Sequence, residues 1–234
     1  MNKKLILMNS WHRLLERFGM SDTFGRDRSA SVPRDPTGFS IALLALCAKM
    51  AKASGRITLA KVRCVRSIIS IAPEDELAAG RVFDLCGRDP SGFETYARKI
   101  HKAIGTGSGA DDLREDVVEA MLLLAMADGS YHPGEERIFT EISSILEIDQ
   151  NRKRRVEARH LPDAWDPHMV LGVSQDASRE ELKHAWRRLV KKEHPDAVQA
   201  RGSPKEMIRL AEERMVRINL AYAQVVRQAV PQFS

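Results

Sequence analysis

Two groups of residues in this chain have types and spacing that could do chemistry. The first is His194-Pro195-Asp196, an imidazole and a carboxylate either side of a proline. Pro195 cannot continue the preceding helix and restricts the residue before it, so His194 and Asp196 are held out on a defined turn. Such a pair could in principle move a proton, but no nucleophile, glycine-rich loop or further ligand converges on it in the sequence. The turn is therefore read as a contact loop, and the chain is expected not to be an enzyme. Ahead of it, Ser178 to Lys192 carries Lys183, Arg187, Lys191 and Lys192 on one side of a helical pattern, with Arg188 at the edge. An exposed basic face of this kind steers association with an acidic partner.

The second group is Asp128 and Glu135, around the Gly129 turn, with Glu136 beside them. Carboxylates at a glycine turn could begin a site for a hard divalent cation, which wants six or more oxygens in the case of calcium. The same residues also suit a plain structural use, Asp128 turning the chain and Glu135 sitting in a first helical turn. Both uses stay open at this point, and no other cofactor is expected. Cys47, Cys64 and Cys86 lie far apart without a Cys-x-x-Cys pair, so neither a disulfide framework nor a zinc ribbon is written here. The stretch 105–110, GTGSGA, follows no strand and precedes no Gly-Lys-Ser/Thr, which excludes a phosphate loop.

The elements that must position these groups read as helices. Residues 165–234 begin with Asp166-Pro167, a cap followed by proline in the first turn, and Gly172 stops that short helix. Ser178 with Glu181 forms a capping box for the basic helix, whose Leu182, Ala185, Trp186 and Leu189 face inward, with Val190 widening the stripe. Ser203-Pro204-Lys205-Glu206 repeats this grammar and launches a long helix bearing Met207, Leu210, Ile218, Tyr222 and Val225. Upstream, residues 39–55, FSIALLALCAKMAKASG, are apolar on nearly every face, which predicts a central buried helix. A helix over 58–71 follows, Pro73 opens the next, and Pro90 opens another that Gly105 closes. Residues 111–146 then repeat the earlier pair, with Ala53-Ser54-Gly55 matching Ala127-Asp128-Gly129 at an offset of 74. This is an internal duplication of the order buried helix, turn, amphipathic helix. Asp149 caps a last helix that Leu161-Pro162 breaks. Residues 5–18 form an amphipathic pattern that suits either peripheral membrane contact or packing on its own domain, and 20–37 read as a linker.

Composition bounds the rest. With 234 residues, 43% of them apolar, the chain can bury one large core or two small ones. The 37 basic and 32 acidic residues give a net charge of +5, which permits anionic partners. A nucleic-acid partner is not expected, because only Trp186 lies among the basic residues. The apolar run at Leu5 to Met8 is too short for a signal segment or a membrane span. A cytoplasmic location is expected.

These residues carry two resemblances. WDPHMVLGV, SREELKHAWRRLVKKEHPD and RINLAYAQV resemble the three helices of the J domain of DnaJ-type co-chaperones, with its His-Pro-Asp signature. Residues 38–158, with Ala127-Asp128-Gly129 and Glu135, resemble the TerB-like helical domain of tellurite resistance, whose acids are thought to hold metal. The order of the two is similar to the DjlA subgroup, although the N-terminal membrane helix expected of that subgroup is not seen. His168 and Trp186 stand where tyrosines are usual. In the first repeat Ser54 and Lys61 replace the acids, so half of any paired acidic site is gone.

The resemblance implies an all-α chain: an N-terminal helix and linker over 1–37, a duplicated TerB-like bundle over 38–160, and a small J-domain hairpin over 165–234. It also implies a co-chaperone that docks on a DnaK-type ATPase chaperone and stimulates its ATP hydrolysis. Asp196 would perturb an arginine of that partner, His194 and Pro195 would shape the turn, and Lys183, Arg187, Arg188, Lys191 and Lys192 would steer. The TerB-like domain would bind a client or partner of its own. The alternative is a metal- or stress-responsive scaffold using Asp128 and Glu135, with the J domain secondary.

Overall fold

The computed structural model describes residues 36–228 apart from 70, 108 and 201–204. The expected N-terminal helix, most of its linker and the cap at Ser203-Pro204 lie outside the described residues. Everything described is helix or connection, with no strand among the described residues, so the chain is all-α.

Helix α1, Pro36–Lys52, is the axis of the first unit. Phe39, Leu43, Leu46, Cys47 and Met50 are all fully buried, as a helix apolar all round requires. It begins at Pro36, earlier than the apolar run suggests, because proline suits a first helical position. Helix α2, Leu59–Ile68, is capped by the Thr58 side chain and ends three residues short of the expected Ile71. A 3-10 turn at Pro73–Asp75 leads into α3, Glu76–Cys86. The next helix, α4, Phe93–Ile104, does not open at Pro90: Gly92, in the left-handed region at φ 75°, sets its start. The Asp89 carboxylate accepts from the Ser91 backbone N–H at 2.8 Å, holding Pro90 in a turn.

The duplication is visible in the backbone. Helix α5, Ala110–Ala125, is the second buried rod, and α6, Pro133–Ile145, is the second amphipathic one. Gly55 and Gly129 end the matching turns with φ of 93° and 82°, a conformation open to glycine at little cost. The repeats approach so closely that a Cβ on Gly134 would lie 2.6 Å from the Ala53 carbonyl oxygen. Helix α7, Gln150–His160, is capped by Asp149, whose carboxylate accepts from the backbones of Asn151 and Arg152.

The second unit follows a 3-10 turn at Pro162–Ala164: α8, Pro167–Leu171; α9, Arg179–Glu193; α10, Pro195–Ala200; and α11, Lys205–Gln228. Its core joins Val170, Leu171, Leu182, Ile218, Ala221 and Val225, and Ala158 of α7 also enters it. Trp186 stacks on Tyr222 with centroids 4.7 Å apart, and its indole N–H donates to Asn219 Oδ1 at 2.9 Å. The bulky ring thus satisfies both its apolar body and its polar tip. The two units share a seam, because Met207 and Leu210 at the start of α11 belong to the first unit's core. No helix of the described residues is long and apolar enough to cross a membrane.

Candidate functional site

The His-Pro-Asp turn is built by its flanking helices. The Ser178 hydroxyl accepts from the Glu181 N–H and the Glu181 carboxylate accepts from the Ser178 N–H, so the expected capping box is formed, about 1 kcal/mol of helix stability. The other end of α9 stops at His194, whose φ −60° and ψ 134° turn the chain out of the helix. The residues directly after it are helical. Pro195 opens the six-residue α10, and Val198, 2% exposed, pins it to the hairpin.

This geometry leaves the turn's side chains outward: His194 is 51% and Asp196 89% exposed. The two contact one another, His194 Nδ1 accepting from the Asp196 N–H at 3.3 Å and lying 3.6 Å from its carboxylate. Arg187, Arg188 and Lys191 are exposed on the preceding helix and Lys183 is half-buried. Lys192 is different, since its ammonium donates to Asp112 of α5 at 2.9 Å, across to the first unit.

Behind the turn lies a buried ionic network that the sequence reading did not single out. Asp112, Glu115, Asp116 and Glu119 recur on one face of α5 at helical spacing. The Arg152 guanidinium reaches Asp112 at 3.0 Å and Glu115 at 2.9 Å, and Arg159 reaches Glu115 at 2.8 Å. His160 Nε2 lies 2.5 Å from Glu119 Oε1. From the second unit, Arg214 donates to Glu119 at 2.8 Å, Asp116 at 2.6 Å and Glu193 at 2.6 Å. Glu193 immediately precedes His194, so the network grips the start of the turn. Burial works against ionisation of Glu119, and Arg159, Arg214 and His160 overcome it, holding its carboxyl well below the usual range. At Asp116 burial wins over Arg214 and pushes the carboxyl up to about 6. The available signal was the spacing of four acids at i, i+3, i+4 and i+7, which places them on one face of the helix.

The structure also brings Asp128 and Glu135 together, but around a lysine. Lys61, fully buried, donates to Glu135 Oε1 at 2.5 Å and Ser54 Oγ at 2.5 Å, and its ammonium lies 3.3 Å from Asp128. Positions 61 and 135 are duplication mates, 74 residues apart, and so are 54 and 128. Burial opposes ionisation of Asp128, and Lys61 outweighs it, keeping that carboxyl below its ordinary value. The other Glu135 oxygen accepts from the His132 N–H at 2.9 Å, closing a capping box on α6. A divalent cation does not fit this arrangement: the ammonium fills the space between the carboxylates, and its charge would repel a second cation. Among the described residues no three His, Cys, Asp or Glu side chains gather as a metal cluster. Calorimetric titration of the full chain with calcium, magnesium or zinc should therefore give no binding heat at this site. A stoichiometric heat lost in Glu135→Gln would show that metal displaces the lysine.

Together, the first unit is a duplicated helical bundle and the second is a braced helical hairpin displaying His-Pro-Asp. The family model described as tellurite resistance protein TerB matches residues 40–158, and the DnaJ domain model matches 166–228. The chain belongs to the TerB family and carries a DnaJ domain behind it. It is similar to the co-chaperone protein DjlA of Vibrio cholerae serotype O1, at 27% identity over 90% of this chain and 84% of that protein. It is also similar to the co-chaperone proteins DjlA of Photobacterium profundum, 26% identical over 92% and 86% of the two chains, and of Photorhabdus laumondii, 26% identical over 73% and 72%. No solved structure matches the chain significantly.

Proposed function

We propose that this protein is a co-chaperone that binds a DnaK-type ATPase chaperone through the His-Pro-Asp turn and the basic helix before it, and stimulates the partner's ATP hydrolysis. The observation that carries this reading is the exposure of Asp196 and His194 at the end of a helix whose Arg187, Arg188 and Lys191 also face solvent. Among the described residues Asp196 meets the neighbouring His194 and is otherwise open, so a guanidinium of a partner would find a fixed, accessible carboxylate. Its relatives' name, co-chaperone protein DjlA, supports the same reading. The chain supplies no chemistry of its own in this scheme, because the ATPase site belongs to the partner.

The test is single-turnover ATP hydrolysis by a purified DnaK-type chaperone with and without the full chain. The wild-type chain should accelerate it, and an unchanged rate would end the proposal. Electrostatic steering adds a second expectation. Arg187→Ala with Lys191→Ala should raise the concentration needed for half-maximal stimulation several-fold at low salt and much less at high salt, since exposed charges are screened beyond about 10 Å at 0.1 M. A deficit independent of salt would assign these residues to direct contacts instead.

A further inference from the structure

The acidic face of α5 does more than fill the first unit. Its carboxylates are divided between two sources of positive charge. Arg152, Arg159 and His160 of α7 satisfy Glu115 and one side of Asp112 and Glu119. Asp116 and the second oxygen of Glu119 are met by Arg214, and Asp112 is met again by Lys192. Both of those cations come from the DnaJ domain.

Lys192 also belongs to the basic set assigned above to chaperone contact. Arg214, by holding Glu193, clamps the last turn of the same helix. The C-terminal end of α9 is thus seated on an acidic surface inside its own chain, while His194 and Asp196 stay open. A basic helix cannot give the same lysine to two acidic surfaces at once.

We propose that the acidic face of α5 is an intramolecular docking site for the DnaJ domain, standing in for the acidic surface of the chaperone and competing with it for the end of the basic helix. The chain alternates between a seated form, in which Lys192 and Glu193 are held by Asp112 and by Arg214 with Asp116 and Glu119, and a released form that engages the chaperone more tightly. Release concerns the end of α9 and not α11: Met207 and Leu210 keep the start of α11 in the bundle core, while Lys192 and Glu193 beside it are held by ion pairs. A ligand of the TerB-family domain that drew α5 or α7 away from this seat would thereby raise co-chaperone activity, by reciprocity of coupling.

This inference rests on the co-chaperone reading, and its test separates the two. In the full chain, Asp112→Asn with Asp116→Asn removes two of the three carboxylates that hold the seat and leaves every exposed contact residue in place. Amide hydrogen exchange of residues 190–198 in the free protein reads the seat itself, with no chaperone present. The concentration of chain giving half-maximal stimulation of ATP hydrolysis reads its consequence. Faster exchange together with a half-maximal concentration about fivefold lower, the low end of ordinary coupling between sites, supports the proposal. Unchanged exchange shows that these acids do not hold the seat, and faster exchange without a gain in stimulation shows that the seat does not compete; either result overturns it. If the wild-type chain gives no stimulation at all, the co-chaperone reading fails and the inference falls with it. Should the double variant lose cooperative melting, Asp112→Asn alone, at a position 32% exposed, carries the same two measurements.

Discussion

Asp196→Asn is expected to abolish stimulation of the chaperone while leaving the protein folded. The side chain is 89% exposed and, among the described residues, its neighbour is the His194 ring at 3.6 Å, so the fold loses little when the carboxylate goes. Its place in the first turn of α10 gives the acid a few tenths of a kcal/mol of dipole stabilisation at most. The partner loses much more. A carboxylate that pairs with a buried guanidinium across an interface is worth about 2–5 kcal/mol, so stimulation should fall roughly 30-fold or more. An unchanged melting curve beside a lost rate is the expected pair of results. Full activity in Asp196→Asn would mean that the turn contributes shape rather than charge. His194→Gln separates those two contributions, because it keeps Asp196 and removes only the ring beside it.

How far the sequence anticipates this site depends on the range of the interactions that make it. The capping box at Ser178 and Glu181 and the Asp166-Pro167 start are written within a few residues of each other, and the structure forms both. The duplication is equally legible, because Gly55 and Gly129 must each take a positive φ and little but glycine does so cheaply. The short helix after Pro195 is not legible in the same way, since it depends on Val198 finding a buried site that only the folded hairpin supplies. Lys61 is the more instructive case. In the sequence it looks like the loss of an acidic position, whereas in the fold its ammonium is the cation that Asp128 and Glu135 hold. The Arg214 network lies further out of reach, because its partners are separated by 95 and 98 residues and no local pattern links them. Only the acidic spacing on α5 hints that something basic must cover it.

That network sets the second large effect, a loss of stability in Arg214→Met. Methionine matches the apolar stem of arginine but leaves Asp116, Glu119 and Glu193 buried beside one another without the guanidinium that joins them. Removing one partner of a buried ion pair costs about 3–5 kcal/mol, and for a chain of this size that lowers the melting temperature by roughly 10 °C. Arg214→Lys should fall between, since it keeps the charge but loses the fork that reaches three carboxylates. The pH dependence identifies the cause. Glu119 is ionised in the fold well below its ordinary value of 4.5, so its contribution is complete above that pH and is lost as pH falls through its lowered value. Asp116, raised to about 6 from 3.8, acts in the opposite sense, and its burial penalty is relieved as pH falls from 6 toward 3.8. Denaturant titrations of the wild type should therefore show stability held or rising between about pH 7 and pH 5, then falling below about pH 4.5. In Arg214→Met the acid loss should shrink, because Glu119 has lost one of the cations that depress it. The gain on going from about pH 7 to pH 5 should grow, because Asp116 has lost its guanidinium and binds its proton more tightly. A uniform destabilisation with the wild-type pH profile would instead mean that Arg214 contributes through packing, and that the charge on α5 is balanced within the first unit alone.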